Sequence, residues 1–293
     1  MGYVFLAIAL FAGITKGYCG KTISRSMETF RECIFINLMR MLFCTVVGFL
    51  LALVRCGFSD FAVSFSEVKI YIFAGACMMT FCAAWMYAYR NEAYMFLSIF
   101  TMLGTIVTCL LDYLIYKAPI HVSQWIGMAL LLLSVFIMAN YNKVIKGKLT
   151  GRGLLLLIIG STGAALADFS QKIFVREIGK KAEIFNFYMY AVGFLLLAVI
   201  LTLQKTGNEK KIKHIFFEKK SVWIYFCMAF FLYLNSVTKT MAAGFLPSAQ
   251  IYPVLQGANL ILSALMANFI FKEKMNRKGV LGMTIAFLGL LLM

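Results

Sequence analysis

The segment LLDYLIYKAPIHVSQWIGMALLLL, residues 110–133, lies without a gap over LMANFIFKEKMNRKGVLGMTIAFL, residues 265–288. At this offset of 155 residues Lys117 meets Lys272, Gly127 meets Gly282 and Met128 meets Met283. Each segment reads as the end of one apolar span, a short polar connection and the start of the next span. A second match sets CGKTISR (19–25) over SQKIFVR (170–176), pairing Lys21 with Lys172 and Arg25 with Arg176 at an offset of 151. The chain therefore divides into two related halves, 1–145 and 146–293. Chance likeness between apolar helices is the competing explanation. A match that runs through helix, loop and helix without a gap argues against it.

Composition sets the environment. Hydrophobic residues make up 62% of the 293 residues and charged residues 14%, whereas soluble domains are about a quarter charged. About 20 apolar residues cross a bilayer as a helix. Ten such runs stand near 2–20, 33–54, 69–90, 95–116, 122–140, 152–173, 184–204, 221–244, 247–271 and 277–293, with no room for a soluble domain between them. The first run lacks a basic leader and a small-residue cleavage site, so it reads as a span rather than a signal peptide. Five spans per half is an odd number, so the second half enters from the opposite face. The expected fold is an all-α integral membrane protein, ten transmembrane helices arranged as two inverted five-helix repeats. Such repeats enclose substrate near the bilayer midplane.

The formal charge of +16 does not point to nucleic acid. Its lysines and arginines sit in short loops between apolar runs, where they hold loops on the cytoplasmic side, and no nucleic-acid motif accompanies them. The eight cysteines form no CxxC and fall mostly inside apolar runs, as small buried hydrophobes do. His121 and His214 lie far apart, so neither a metal nor a cofactor site is expected. No GxxxxGK[ST] motif and no nucleophile–base pair is present, which argues against an ATP-driven pump and against an enzyme.

With these features in hand, the chain resembles the EamA branch of the drug/metabolite transporter superfamily. The resemblance rests on the five-plus-five spans and on the connections IYKAPIHVSQWIGM before span five and IFKEKMNRKGVLGM before span ten. It extends over almost the whole chain. Gly13 in LFAGITKG stands where the family often has Trp-Gly, and Glu273 where it often has Gly-Glu. The chain departs from the pattern with Ala12 for the Trp and Ala118 opposite Glu273. The resemblance implies the fold and transport; it leaves the substrate open. Small multidrug members of the superfamily carry a glutamate in their first helix, where this chain has Lys16.

Polar residues inside the spans mark the expected path. Ser98, Thr101, Thr105, Thr108 and Asp112 step by 3 and 4 along span four and share one helix face. Gln256, Asn259 and Ser263 do the same in span nine, and Gln256 is the repeat mate of Thr101. Pro253 breaks a backbone hydrogen bond within span nine. Asp168 and Lys239 lie at matching depth, each about 9 Å beyond its span's midpoint, and an ion pair between them explains both better than separate escape to the rim. Tyr233, Ser236, Lys239 and Ala243 share helical spacing on span eight, with Asn235 off that face or on its edge. Gly13 and Gly17 bracket Lys16 as GxxxG, a close-packing motif. Arg40 has no acidic residue at helical spacing and needs a partner from elsewhere.

Three span cations against Asp168 and Asp112 leave the interior net positive. This favours a small anionic or zwitterionic metabolite, such as an amino acid or a phosphate- or carboxylate-bearing compound, over a lipophilic cation. The expected substrate-binding residues are Lys16, Trp85, Ser98, Thr101, Ser236, Lys239, Tyr252, Gln256 and Asn259, with Asp168 as ion-pair or coupling residue. Trp85, Tyr89 and Tyr252 are placed to pack on an apolar or ring portion. The leading expectation is a secondary transporter working by alternating access, as a monomer or homodimer in the cell membrane. The alternatives are a flippase or flippase subunit for a lipid-linked intermediate, and export of drug-like compounds.

Eighteen of the 28 Lys and Arg fall in the loops on one side, which joins spans one and two, three and four, five and six, seven and eight, and nine and ten. Seven fall on the other side and three inside spans. The richer side is expected to be cytoplasmic, with both termini outside. The resemblance implies the reverse, since both termini of the family usually face the cytoplasm. Reporters fused to each terminus should give the non-cytoplasmic signal; cytoplasmic signals from both would overturn this orientation.

Overall fold

The computed structural model describes residues 1–27, 29–92, 94–117, 119–146, 151–204, 219–245, 248–273 and 276–292. The side chains of residues 95, 143–146, 152, 219–221, 243, 248–250, 252 and 253 also lie outside the described set. The expectations for Tyr252, Pro253 and Ala243 therefore fall outside it.

Among the described residues ten α-helices follow one another: α1 (Gly2–Ser24), α2 (Phe30–Arg55), α3 (Phe65–Asn91), α4 (Tyr94–Tyr116), α5 (Val122–Lys146), α6 (Gly151–Ile173), α7 (Ala182–Leu203), α8 (Lys219–Ala243), α9 (Ser248–Phe269) and α10 (Arg277–Leu292). Eight of them, α1 to α8, are long and apolar enough to cross a membrane. In α9 the apolar stretch Val254–Phe269 is shorter, and α10 has 16 residues. A hydrocarbon environment explains why helices dominate, since a helix satisfies its own backbone groups where no water can.

Helix ends are set by local chemistry. The Thr29 hydroxyl accepts from Glu32 N at 3.2 Å, while Thr29 N donates to the Glu32 carboxylate at 3.3 Å. Ser64 and Glu67 repeat this reciprocal cap at the start of α3. Both satisfy amides that the first helical turn leaves orphaned. At its other end α6 runs into a π turn, Phe174–Ile178, closed by Gly179 at φ +72°.

Packing follows the repeat. Helix α1 packs along α8, and its repeat mate α6 packs along α3. Helices α2 and α7, α5 and α10, and α4 and α9 meet their own mates. Exchanging the two halves leaves this set of pairings unchanged, as a two-fold relation between repeats requires. Lys117 and Lys272, matched in the sequence, are the only non-glycine residues with positive φ among those described, at 50° and 55°. Lys117 follows the end of α4 directly and Lys272 stands three residues past the end of α9, both in the same left-handed conformation.

Glycine permits the closest contacts. A Cβ on Gly75 of α3 would stand 2.8 Å from the Met189 carbonyl of α7, and one on Gly289 of α10 would stand 2.9 Å from the Gly127 carbonyl of α5. In lipid, where helices gain little from burying apolar surface against one another, such backbone approach carries much of the association. The outer surface is apolar: Phe11, Leu50, Phe136, Leu155, Leu195 and Trp223 are all exposed, as lipid-facing residues are.

Candidate functional site

Six helices from both repeats, α1, α3, α4, α6, α8 and α9, surround a cavity of about 140 Å³. Its wall brings together Lys16, Trp85, Ser98, Thr101, Asp168, Ser236, Lys239, Gln256 and Asn259. These are the residues singled out in the sequence, apart from Tyr252. Tyr89 also lines it.

Periodicity explains the convergence. Along α4, Ser98, Thr101, Thr105 and Thr108 face the cavity, and along α9, Gln256, Asn259 and Ser263 do. Two hydroxyls on this stripe turn back to their own helix: Thr101 Oγ1 donates to Ser98 O at 2.5 Å and Thr108 Oγ1 to Thr105 O at 2.9 Å. Thr105 Oγ1 has no partner among the described residues and is available to a ligand or water. Asp112 departs from the expected wall. Its carboxylate binds Lys172 Nζ of α6 at 2.5 Å, which draws it out of the lining and ties α4 to α6.

Two cations enter the cavity with different partners. Lys239 Nζ lies 2.5 Å from Asp168 Oδ1, with side chains 18% and 15% exposed. The pair spans α8 and α6 and accounts for a lysine well inside the bundle. Lys16 Nζ donates to a neutral group, Asn235 Oδ1, at 3.2 Å, and sits 5.8 Å from the Phe81 ring. Asn235 Nδ2 is anchored to Ala9 O at 2.6 Å, so its oxygen is turned to Lys16.

Asn235 is the main residue that sequence reading underrated. The stripe Leu232, Asn235, Ser236 and Lys239 lines the cavity. Those positions are i, i+3, i+4 and i+7, a signature of one helix face. Tyr233 lies off this stripe, buried with its ring 5.9 Å from Tyr190 and close to Gly48 of α2. Phe81 was also missed, though it precedes Trp85 and Tyr89 at four-residue steps along α3. Gly13 and Gly17 do give close approach, but to side chains. A Cβ on Gly13 would meet Asn235 Nδ2 at 3.2 Å, and one on Gly17 would strike the Tyr94 hydroxyl. Arg40 is 6% exposed, off the cavity wall, and its Nε has no partner among the described residues. It is near enough to Lys16 for their charges to repel.

Two repeat-related lysines, neither of them on the cavity wall, tie helices together. Lys172 of α6 holds Asp112 of α4. Lys21 Nζ of α1 donates to Tyr89 O at 2.5 Å and to Glu92 O at 2.8 Å. Tyr89, Tyr94, Phe271 and Tyr18 form a run of ring contacts, 4.9 to 6.1 Å between centroids. Glu273 accepts from Tyr94 N at 2.8 Å, which gives the acidic residue of the second connection a structural partner. Among the described residues no His, Cys, Asp and Glu cluster suits a metal ion.

The family model described as "EamA-like transporter family" matches residues 1–140 and 151–293. A solved structure titled only "Crystal structure of protein" superposes with a TM-score of 0.65 over 99% of this chain and 95% of that one, at 10% identity. At that identity the likeness is one of fold. No curated protein matches the chain in sequence.

Removing one partner of a part-buried ion pair strands the other. Lys239→Gln and Asp168→Asn should each cost about 1 to 2 kcal/mol of stability, between the values for exposed and for buried pairs, and the double variant less than their sum. Unfolding in mild detergent reads this cycle; strictly additive effects would mean that the pair carries no coupling.

Proposed function

We propose, starting from the fact that the chain belongs to the EamA-like transporter family and is a membrane transporter, that it moves a small anionic or zwitterionic metabolite by alternating access. The observation that carries this reading is Lys16, a cavity-lining cation whose hydrogen-bond partner is a neutral amide. A charge at this depth calls for a counter-charge or water, and part-buried Lys16 has no carboxylate within ion-pair distance among the described residues. An acidic group on the substrate supplies it.

Alternating access is supported by the two-fold repeat, in which Lys21 of α1 and its mate Lys172 of α6 tie different helices. Opening one tie while the other holds would expose the cavity to one side at a time. No GxxxxGK[ST] motif stands in the sequence, so the driving force in this reading is the gradient of the substrate or of a coupled ion. The Asp168 carboxylate is engaged by Lys239, which favours a structural role for it over the coupling role. The richer basic side faces the cytoplasm in this reading, in the cell membrane.

A thermal-shift panel of carboxylates, phosphates, amino acids and lipophilic cations, run on wild type, Lys16→Ala and Lys239→Ala, tests it. An anionic or zwitterionic compound should raise the melting temperature of wild type and lose that effect in folded Lys16→Ala. Stabilisation by lipophilic cations alone, or hits that survive both substitutions, would remove the reading.

A further inference from the structure

The two lysines of the cavity differ in what they leave for a ligand. Lys239 is matched by Asp168 at 2.5 Å, so this pair offers no net charge. Asp168 is the only acidic side chain among the described lining residues. Its carboxylate is therefore already taken by an ammonium from the protein. Lys16 is held by the Asn235 amide, with Arg40 and Lys239 near enough to repel it and Asp168 near enough to attract it more weakly. The cavity thus presents one lysine without a carboxylate of its own, since its single carboxylate is bonded to the other.

Rings flank that charge. Phe81, Trp85 and Tyr89 form one stripe along α3 beside Lys16, with Phe81 and Trp85 5.3 Å apart. The Tyr89 and Tyr94 hydroxyls stand over Gly17, the residue next to Lys16. The opposite wall, from α4 and α9, supplies only neutral polar groups: Ser98, Thr101, Gln256 and Asn259.

We infer that the substrate is a monoanion bearing a planar ring, an aromatic or heteroaromatic monocarboxylate or its equivalent, without a charged amino group. The acid joins Lys16 in the place of a counter-ion, and the ring lies against the α3 stripe. A zwitterion of the same shape is disfavoured because its ammonium meets Lys239 in possession of the one carboxylate. A second acid group is disfavoured because no second unmatched cation lines the described wall. This inference rests on reading the cavity as the substrate site, and it makes Lys16 and the Lys239–Asp168 pair together the determinants of charge selectivity.

The prediction that follows is a switch. Lys239→Gln removes the protein's own ammonium and frees the Asp168 carboxylate for one on the ligand. The variant should gain affinity for a zwitterion that wild type refuses.

Four probes of similar shape test this by calorimetry or competition on the purified full chain: phenylacetate (monoanion), phenylalanine (zwitterion), phthalate (dianion) and benzylamine (cation). Wild type should bind phenylacetate about tenfold or more tightly than each of the others, the loss of one charge-assisted contact being worth about that factor. Lys16→Gln should lose that preference, and Lys239→Gln should move phenylalanine toward or past phenylacetate. The wild-type ranking stands without either variant, so a variant that fails to fold does not spoil the test. Phenylalanine or phthalate binding wild type as well as phenylacetate overturns the monoanion inference and leaves the cavity reading in place. Absence of binding by all four probes overturns both.

Discussion

A charge inside a bilayer has to be neutralised or wetted, and that constraint organises this molecule. A lysine at the membrane centre costs about 2.5 to 3.5 kcal/mol on insertion scales, so each intramembrane cation needs a local solution. Lys239 finds one in Asp168, across the interface between α8 and α6. Lys172 finds one in Asp112, across α6 and α4. Lys21 bonds to the carbonyls at the end of α3 and just beyond it. Each solution ties helices together, and the Lys239–Asp168 pair is also part of the cavity wall. Lys16 is held by an amide and lines the cavity.

The scaffold is symmetric and the chemistry is not. Positions 78, 81 and 85 of α3 and positions 232, 235 and 239 of α8 line the cavity at a constant separation, as the repeat requires. Yet Phe81 stands opposite Asn235 in that register, and Trp85 opposite Lys239. On the mates α1 and α6, Gly17 corresponds to Asp168 at the offset of 151. One repeat therefore contributes rings and close backbone, and the other contributes the ion pair.

Much of this was legible in the sequence because it is written in period and repetition. Span count came from runs of apolar residues, and the inverted arrangement from an odd count per repeat. The mates Lys117 and Lys272 share one left-handed backbone geometry. Serine, threonine and amide stripes identified the inner faces of α4 and α9 because helix phase is fixed once the pattern is long enough. Phase was less certain on α8, where Tyr233 and Asn235 differ by only two positions. A stripe through Tyr233 competes with one through Leu232 and Asn235, and the neighbouring helices decide between them. Pairing across helices was legible only where depth matched, as for Asp168 and Lys239. Asp112 looked like a lining residue because nothing along its own helix reveals that Lys172 reaches it from α6. The surroundings of Arg40 are likewise a property of tertiary structure.

The central claim is that the two repeats enclose a hydrated cavity lined by α4, α8 and α9. Single cysteines in a variant lacking the eight native ones test it most directly, using a membrane-impermeant thiol reagent on the protein in lipid vesicles. Cysteines replacing Thr101, Ser236 and Asn259 should react, while one replacing the lipid-facing Phe136 stays unmodified. If the three interior positions are as inert as Phe136 on both sides of the membrane, no water reaches the space between the repeats and the account is wrong.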